Sequence, residues 1–548
     1  MPQSNKKYPK SKRNKKPSVK GKGRKRTILW KSLIHNGVLF PPDFKPHGLT
    51  LTINGKKIVL SPQQEEMAWA WASKRDTPYV QDKVFASNFL LDFLKMFPQE
   101  YSNTNIQDIN FSRIIKYQEK EKERKSQPEV KKKLAAERKK LREALKDKYG
   151  FVEIDGYKTE IANYLVEPPG IFMGRGKHPL RGRWKPRIYP KDITLNLSKK
   201  GENPLLPEGQ KWGKRIQDNQ SMWLASWTDK LTKKNKYVWP HDSSNIRQQR
   251  DKMKFDYAKK LAPKLERIRK HIMRGMNSKD IKTRKIATVC YLIDKLCMRV
   301  GDEKDEDEAD TVGASTLRVE HLQITSNSIK FNFLGKDSVP WSKSIPGKTE
   351  KIQLFRKNLE IFMDGKKNGE TIFDGVRSSD INRFLGKTMD GLTAKVFRTF
   401  YATKVASTYL LQNSNCQEEP EFQKIFYAKM ANLETAITCN HKRTPPKNWE
   451  KSIVKKKERL RKLRAKPPKT EKAQKRYGER LLKTKLSLQL AKKTKEYNLN
   501  TSLRNYIDPR IYKSWSDSMD LDWQKVYAKT LQKKFSWIAK SKIKWSSS

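Results

Sequence analysis

The chain has 548 residues and a formal net charge of +61, because 120 Lys and Arg residues stand against 59 Asp and Glu residues. A surplus of this size repels itself unless it meets a polyanion, so nucleic acid is the first candidate partner and an anionic membrane the second. No apolar run reaches the roughly 18 residues of a membrane-spanning helix and we expect no signal peptide, while 14 Trp residues and 35% hydrophobic residues favour several folded domains over a core-poor packaging protein.

Neither the cysteines nor the carboxylates indicate a metal site. Cys290, Cys297, Cys416 and Cys439 form no C-x-x-C pair, and the seven histidines are scattered, so zinc binding is not expected. Free cysteines are typical of a reducing, intracellular compartment. The carboxylate run 302–310 lacks the glycine and the alternating ligands of a calcium loop, and we interpret it as a solvated acidic turn.

The N-terminal segment predicts a basic tail and then a globular region that begins with a β-hairpin and a helix. Residues 1–28 contain almost nothing apolar among Lys, Arg, Ser, Pro and Gly, and we expect them to be disordered. Apolar and polar residues alternate in two runs within 49–60, on either side of Asn54 and Gly55, which predicts a hairpin. Ser61 then stands before a proline, as an N-cap stands before the first residue of a helix.

Charged helices and short strands are expected next along the chain. Residues 118–148 are dense in Lys, Glu and Arg and are broken by Pro128, which predicts a pair of helices with a thin apolar stripe. We interpret these helices as solvated, with a positive face toward DNA as the alternative. Short strands and loops are expected over 160–240.

The central part of the chain predicts a mainly helical region with one β-hairpin. Residues 243–300 and about 380–412 have helical patterns, and 328–334 alternates as a half-buried strand does. The segment 335–337 follows as a turn into a second strand.

The C-terminal part predicts a helical hairpin and a small terminal unit. Residues 449–466 and 470–495 are basic and compatible with helices, and the pair Pro467-Pro468 between them stops a helix. We therefore expect an antiparallel hairpin with little core of its own. Residues 498–548 form a terminal unit with three tryptophans available to dock it: Trp515, Trp523 and Trp537.

Metal-free transesterification of a phosphodiester is the chemistry that the remaining residues suggest. Such a reaction needs a nucleophile, cationic donors for the non-bridging oxygens and a proton for the leaving 5′ oxygen. Metal enzymes stabilise the charge on the non-bridging oxygens with metal ions. Arginine can do the same, because its planar guanidinium donates several hydrogen bonds to phosphate oxygens. Tyr506 is the candidate nucleophile, because Asp508 is predicted to cap a helix that starts at Pro509 and so to fix the backbone beside it. The alternative is a packing tyrosine.

Four basic residues are candidates for the other roles. Arg299 follows an apolar helix, and Lys336 stands in the predicted turn. Arg398 lies in a helical segment that Thr393 is predicted to open, with apolar neighbours, and His441 precedes two prolines. A lysine buried near other cations has a lowered pKa and can act as an acid, and histidine donates to phosphate in either protonation state. Each of these residues also has an alternative interpretation without a catalytic role. Arg299 could pair with the acidic run, and His441 could be structural. Lys336 and Arg398 could lie on the surface.

Together these segments resemble the type IB DNA topoisomerases of eukaryotic and archaeal type, over nearly the whole chain from about Trp30. One set of motifs resembles the upstream DNA clamp of that family: Pro168-Pro169-Gly170-Ile171-Phe172, Gly174-Arg175-Gly176 and His178-Pro179. A second set resembles its catalytic core: Asp310-Thr311-Val312-Gly313, Leu317-Arg318-Val319-Glu320-His321 and Phe333-Leu334-Gly335-Lys336-Asp337-Ser338. A third resembles its active-site segment: Asn505-Tyr506 and Asp508-Pro509-Arg510.

The resemblance implies an α+β multidomain fold. We expect a mixed N-terminal clamp lobe, a mainly α catalytic core of the tyrosine recombinase and topoisomerase IB type, and a helical-hairpin linker. The expected division is a disordered basic tail at 1–28, the clamp or cap region at 29–242, the catalytic core at 243–445, the linker at 446–497 and a C-terminal domain at 498–548.

The resemblance also implies roles for the candidate residues. Tyr506 forms a 3′-phosphotyrosyl link, and Lys336 protonates the leaving 5′ hydroxyl. Arg299, Arg398 and His441 stabilise the transition state. The broken strand rotates about its intact partner and is resealed, so that no metal, ATP or other cofactor is required. Double-stranded DNA is the expected partner of a monomeric clamp, with four expected DNA contacts: Arg175, Lys177, Asp337 and Asn505.

The implied location is intracellular and DNA-associated. The short basic tail and the lysine-rich composition favour an archaeal source, with the nucleoid or cytoplasm as the compartment, whereas a eukaryotic source implies the nucleus. Two other functions stay open at this point. A tyrosine recombinase uses related chemistry, but the upstream clamp motifs disfavour it. A non-catalytic DNA-packaging protein on the same scaffold is disfavoured because every expected catalytic residue is present.

Overall fold

The computed structural model describes residues 28–174, 176–199, 201–301, 312–347, 349–539 and 541. Several features predicted above lie outside these described residues, namely the tail up to residue 27, Arg175, the acidic run 302–310 and the side chain of Asp337. Within the described ranges, no helix combines the length and the apolar character that a bilayer span requires.

The region 28–242 contains two separate hydrophobic cores with small sheets packed on them. One core gathers residues from Leu51 to Ile171 and the other from Trp30 to Ile246. The strands of this region are β1 (Leu33–His35), β2 (Thr50–Ile53), β3 (Lys56–Val59), β4 (Ile109–Asn110), β5 (Phe151–Ile154), β6 (Tyr157–Glu160), β7 (Gly170–Ile171), β8 (Trp184–Lys185), β9 (Thr194–Asn196), β10 (Lys214–Ile216), β11 (Ala225–Thr228) and β12 (Asn235–Val238). They form sheets in the orders β1-β5-β6, β3-β2-β4, β7-β8 and β10-β9-β11-β12, with β9 and β10 parallel.

The predicted hairpin and helix start are confirmed. β2 pairs with β3 in antiparallel register, and Asn54 and Gly55 have left-handed φ values of 48° and 79° at the turn, as a two-residue hairpin turn requires. Ser61 caps helix α1 (Pro62–Ala72) through a reciprocal pair of hydrogen bonds with Gln64.

Three more helices belong to the N-terminal region, and the last two are charged. Pro128 separates the charged pair as predicted, and the second of them buries none of its side chains, which confirms a solvated helix. These helices are α2 (Lys83–Phe93), α3 (Ser112–Ser126) and α4 (Pro128–Tyr149).

Residues 243–445 are mainly helical and surround one large core. Their elements are α5 (Asn245–Lys259), α6 (Leu265–Met276), α7 (Ile281–Leu296), β13 (Leu322–Ile324), β14 (Ser328–Gly335), β15 (Val339–Pro346), α8 (Glu350–Met363), α9 (Ser378–Gly386), α10 (Ala394–Gln412) and α11 (Glu421–Thr438). β14 alternates between buried and exposed residues, as predicted, and pairs with β15 in antiparallel register. The helical pattern expected over about 380–412 is interrupted, because α9 ends at Gly386 and α10 begins at Ala394 after its N-cap Thr393. Gly391 has a left-handed φ of 73° in the loop between them, a conformation that a helix does not contain.

The basic helical hairpin and the C-terminal unit follow. α12 (Trp449–Ala465) and α13 (Glu471–Lys493) share a small core of Ile453, Leu460 and Leu488, so the prediction of an arm with little core is confirmed. The terminal unit contains α14 (Leu499–Asn505), α15 (Pro509–Ser518) and α16 (Lys529–Lys534). Its apolar side chains, with Trp515 and Trp523 among them, form one core with residues of α10 and α11. This shared core places the segment around Tyr506 against α10.

Candidate active site

The candidate nucleophile and the arginine that follows α7 meet in the structure. α7 ends at Leu296, and the chain turns through Cys297, whose φ of 54° is left-handed, before it reaches Arg299. Nη1 of Arg299 donates a hydrogen bond of 3.3 Å to the hydroxyl of Tyr506. The acidic run, the alternative partner of Arg299, lies outside the described residues. A cation therefore contacts the oxygen that would attack phosphorus.

The turn between α14 and α15 fixes the backbone at Tyr506. As predicted, Asp508 caps α15, and its carboxylate accepts from the backbone N–H of Arg510 at 3.0 Å and from the Arg510 guanidinium at 2.6 Å. The hydroxyl of Thr403, on α10, donates to the carbonyl of Tyr506 at 3.3 Å and accepts from the N–H of Asp508 at 3.0 Å. One buried hydroxyl thus ties both sides of this turn to the helix that carries Arg398.

Arg398 is buried beside the ring of Tyr506. Its guanidinium carbon lies 5.1 Å from the centre of that ring. Nη1 donates to the carbonyl of Cys297, and Nη2 donates to the carbonyl of Cys439 at 3.0 Å and to Nε2 of His441 at 3.1 Å. Since Arg398 is only 4% exposed, the alternative of a surface arginine is wrong. Its acceptors offset the cost of removing a charge from water.

His441 is buried and neutral. Burial and the charges of Arg398 and Arg299 lower its pKa from 6.5 to about 3. Arg398 has no acceptor atom, so Nε2 of His441 accepts from it and the proton of the neutral ring is assigned to Nδ1, which lies 2.6 Å from the hydroxyl of Ser502. The imidazole also packs against Tyr506, with ring centroids 5.1 Å apart.

The hydroxyl of Tyr506 ionises more easily than that of an ordinary tyrosine. Burial of the side chain opposes ionisation, but the charges of Arg398 and Arg299 and the hydrogen bonds from them outweigh burial and lower the pKa. Tyr512, buried six positions later, shows the opposite effect, because burial alone raises its pKa. The two arginines therefore distinguish Tyr506 from a packing tyrosine.

Lys336 occupies the turn between β14 and β15, as predicted, and its side chain is exposed. It lies on the wall of a cavity of about 390 Å³ that Arg299, Arg398 and His441 also line. A larger cleft of about 1000 Å³ lies between α12 and α13, but none of the five candidates lines it. The structure thus brings the candidate acid and the candidate phosphate ligands to one cavity.

The N-terminal region contacts the turn of Lys336 through the loop between β7 and β8. Gly176 in that loop has a φ of 59°, and a Cβ added there would lie 2.1 Å from Oγ of Ser338. Ser338 belongs to the same turn as Lys336. Lys177 is exposed beside this contact, so one of the four expected DNA contacts stands where the loop meets the catalytic turn.

The other expected DNA contacts are less well defined. Asn505 is exposed as the last residue of α14, and its backbone carbonyl accepts from Lys254 at 3.2 Å. Its side chain is therefore open to solvent on the same segment as Tyr506. Arg175 and the side chain of Asp337 lie outside the described residues.

Sequence reasoning did not single out the residues that hold the candidates in place. Ser502 lies four positions before Tyr506, so a helix over 499–505 would have been the signal that places it beside the site. Thr403 lies one turn after Arg398 on α10, but a threonine in a helix has no distinctive pattern. Both act through hydrogen bonds to residues far away in the sequence.

This arrangement brings together side chains that suit the transfer of a phosphoryl group. A tyrosine with a lowered pKa contacts one arginine, a second arginine and a neutral histidine lie beside it, and a lysine faces the same cavity. Preorganised cations of this kind are suited to the charge that develops on a phosphate in the transition state.

Three family models match the chain in succession. Residues 28–240 match the DNA binding fragment of eukaryotic DNA topoisomerase I, and residues 243–474 match its catalytic core. Residues 478–547 match the C-terminal topoisomerase domain. The candidate nucleophile falls in the third match, and the four basic candidates fall in the second.

Curated relatives match over the same span. DNA topoisomerase 1 beta of Arabidopsis thaliana is 37% identical over 94% of this chain and 59% of its own length, and DNA topoisomerase 1 alpha of the same plant is 35% identical over the same shares. DNA topoisomerase 1 of Homo sapiens is 36% identical over 93% of this chain and 71% of its own length. The chain thus spans 59% of the two plant relatives and more than two thirds of the human one. On these matches, the chain belongs to the eukaryotic DNA topoisomerase I family.

Proposed function

We propose that the chain is a type IB DNA topoisomerase, an isomerase that relaxes supercoiled DNA through a 3′-phosphotyrosyl intermediate. The observation that carries this proposal is the contact between Arg299 and the hydroxyl of Tyr506, next to a second buried arginine, Arg398. A buried tyrosine between two guanidinium groups is suited to attack an anion, because the cations favour both the phenolate and the phosphate.

The cleavage step follows from the hydrogen bonds of the site. The hydroxyl of Tyr506 gives up its proton to solvent, and the phenolate oxygen attacks the scissile phosphorus while Arg299 and Arg398 donate to the non-bridging oxygens. Nε of Arg398 has no hydrogen-bond partner among the described residues, and phosphate can also replace His441 as an acceptor of Nη2. Nε2 of His441 is then released, and the hydroxyl of Ser502 can donate to Nδ1 as well as accept from it. His441 can therefore carry its proton on Nε2 and donate to phosphate while it stays neutral.

Lys336 supplies the proton to the leaving 5′ oxygen in this proposal. It extends from an exposed turn at the cavity wall, so its ammonium can follow the backbone of a bound duplex. Resealing is the reverse reaction, in which the 5′ hydroxyl attacks the phosphotyrosine and Lys336 takes the proton back. The energy of the phosphodiester is kept in the tyrosyl ester, so ATP is not needed. The side chains supply the positive charge that a metal or other cofactor would otherwise provide.

We further propose that the chain acts as a monomeric clamp on double-stranded DNA. The contact between Gly176 and Ser338, where the N-terminal loop meets the catalytic turn, supports closure around a duplex. The division into the tail, residues 29–242, 243–445, 446–497 and 498–548 is the domain organisation of this proposal. Arg175, Lys177, Asp337 and Asn505 are its proposed DNA contacts, and DNA association inside the cell is the proposed location.

Relaxation of a supercoiled plasmid in EDTA, without ATP, tests the proposed function. The purified chain should relax the plasmid, and Tyr506→Phe should not, although it should bind DNA as tightly as wild type because it loses one hydroxyl and no charge. Equal relaxation by both proteins would remove Tyr506 from the reaction. Binding without relaxation by either would contradict the enzymatic function.

A further inference from the structure

Helices α7 and α11 end side by side, and the ammonium group of Lys343 lies between their last carbonyl groups. Its Nζ donates to the carbonyl of Thr438, the last residue of α11, at 2.5 Å, and to the carbonyl of Leu296, the last residue of α7, at 3.4 Å. One cation therefore contacts the C-terminal ends of two helices.

The position of Lys343 is electrostatically favourable at both helix ends. The last carbonyls of a helix have no partner within it, and the aligned peptide dipoles make this end negative. A lysine there satisfies free acceptors and neutralises two partial charges. Lys343 is half-buried, and its Nζ lies 5.7 Å from the ring centre of Trp341. Burial among these groups lowers the pKa of Lys343, so the ammonium form relies on the carbonyls that surround it.

The two helix ends lead directly to two of the candidate catalytic residues. Arg299 lies three positions after Leu296, and His441 lies three positions after Thr438. Arg398 donates to the carbonyl of the residue that follows each helix, namely Cys297 after α7 and Cys439 after α11. Lys343 and Arg398 thus donate hydrogen bonds to successive carbonyls of the same two segments. Arg398 lines the cavity of the site, whereas Lys343 is not among its lining residues.

Lys343 also connects these ends to the hairpin of Lys336. It lies on β15, seven positions after Lys336. A second contact joins the same parts, because Nδ2 of Asn440 donates to the carbonyl of Pro340 at 3.1 Å. The hairpin therefore contacts both the segment that leads to Arg299 and the segment that leads to His441.

We propose that Lys343 is a positioning residue of the cleavage reaction, which holds the segments of Arg299 and His441 at the spacing that the transition state requires. The inference rests on the proposed function. Lys343 touches neither the cavity nor the nucleophile, so it acts through the two residues that do. A misplacement of catalytic groups by about 1 Å is enough to cost around a hundredfold in rate.

The test is single-turnover cleavage of a suicide oligonucleotide, with DNA affinity measured in parallel. Lys343→Met keeps most of the side-chain length and removes the cation. We expect its cleavage rate to fall by roughly 10- to 100-fold, with an affinity within about twofold of the matched control Lys330→Met. Lys330 is exposed on the neighbouring strand β14, opposite Ser344. Lys343→Arg, which restores charge and donors, should recover most of the rate.

A substrate with sulfur at the bridging 5′ position separates this role from a general loss of structure. The thiolate leaves without a proton, so this substrate removes only the need for proton transfer from Lys336. The defect of Lys343→Met should persist on this substrate, because Arg299 and His441 are the groups displaced. Full rescue would assign the effect to the hairpin tip and overturn the inference, as would cleavage at the wild-type rate on the ordinary substrate.

Two controls keep the inference distinct from the proposed function. Wild type must form the covalent complex in the same assay and Tyr506→Phe must not; if wild type fails, the proposed function fails with it. If Lys343→Met does not fold, Lys343→Gln, which keeps an N–H donor without the charge, carries the test. A rate loss of about tenfold in that variant supports the inference, and a wild-type rate overturns it.

Discussion

Nη1 of Arg299 donates a hydrogen bond to the hydroxyl of Tyr506 at 3.3 Å, although the two residues are 207 positions apart in the chain. The contact requires that the loop after α7 and the turn between α14 and α15 be placed independently and then brought together. The loop after α7 is held by contacts of Arg398 and Lys343 with the helix ends. The turn at Tyr506 is held by Thr403 and Asp508. The candidate nucleophile and a candidate phosphate ligand are therefore in contact before any DNA is bound.

Thr403 offers a direct way to loosen the nucleophile without touching it. Thr403→Val replaces the hydroxyl by a methyl group of similar size and removes both hydrogen bonds to the turn of Tyr506. We expect about 1–3 kcal/mol of lost stabilisation there and a cleavage rate reduced by about tenfold at unchanged DNA affinity. Single-turnover cleavage measures this, with Thr408→Val on the exposed side of α10 as the control. Equal rates for the two variants would show that the backbone turn does not depend on Thr403.

Lys336 is the proposed proton donor to the leaving group, and it lies on the cavity wall. Lys336→Ala should slow cleavage by roughly 10²- to 10⁴-fold, the usual contribution of a positioned acid, and should bind DNA nearly as well as wild type. The bridging 5′ phosphorothiolate substrate should restore the rate, because a thiolate needs no proton to leave. A defect of the same size on both substrates would exclude Lys336 as the acid.

Asp242 joins the C-terminal unit to the start of the core. Its buried carboxylate accepts from Arg504, two residues before Tyr506, and from Arg247 at 2.6 Å, with Lys534 at 3.6 Å. Burial opposes the charge of Asp242, but these cations outweigh it and lower the pKa of the carboxyl. Asp242→Asn leaves the cations unbalanced, which should cost about 2–4 kcal/mol of local stability.

Hydrogen exchange over residues 499–538 measures the effect of Asp242→Asn. Protection of the C-terminal unit should fall in this variant, while the rest of the core keeps its protection. Asp147→Asn, at an exposed position on α4, is the control for the loss of one negative charge. Unchanged protection of the C-terminal unit would show that the shared apolar core holds it without the ion pairs.

The neutral state of His441 predicts a specific loss of stability in acid. Its pKa is about 3 in the folded protein and 6.5 when unfolded, so the unfolded state binds the proton more readily between these values. The stabilisation is complete above pH 6.5 and is lost as the pH falls toward 3. At pH 5 the loss amounts to about 2 kcal/mol.

The glutamine of His441→Gln cannot titrate. Between pH 7.5 and pH 5.0 the free energy of unfolding should therefore fall by about 2 kcal/mol less in this variant than in wild type. Urea titrations at the two pH values give the difference, and other acid-sensitive groups cancel in the comparison. An equal loss in both proteins would mean that His441 is not held neutral by its surroundings.

Local sequence patterns predicted local structure well. The turn at Asn54-Gly55, the cap at Asp508 and the break at Pro467-Pro468 are all fixed by neighbours within a few residues, and the structure shows each of them. The start of α10 was predicted, because Thr393 stands at its N-cap, but the end of α9 at Gly386 was not, because a helical pattern was expected to run on from about 380.

The site was predictable in its reactive residues but not in the contacts that position them. Motif resemblance singled out Arg299 and Tyr506, and the structure brings them together. Thr403, Ser502 and Lys343 have no such signature, since a hydroxyl or a lysine acquires its role only from distant carbonyls and ring nitrogens. These partners depend on how the helices pack, which periodicity along one segment does not encode.

The central claim is that Tyr506 attacks phosphorus and retains the strand through its 3′ phosphate. The most direct measurement uses a suicide duplex labelled at either end of the cleaved strand, in EDTA, followed by denaturing electrophoresis and peptide mapping. The account predicts that the 5′ label stays with the protein on the peptide that contains Tyr506, and that the 3′ label is released. Retention of the 3′ label, or attachment to any other residue, would contradict it.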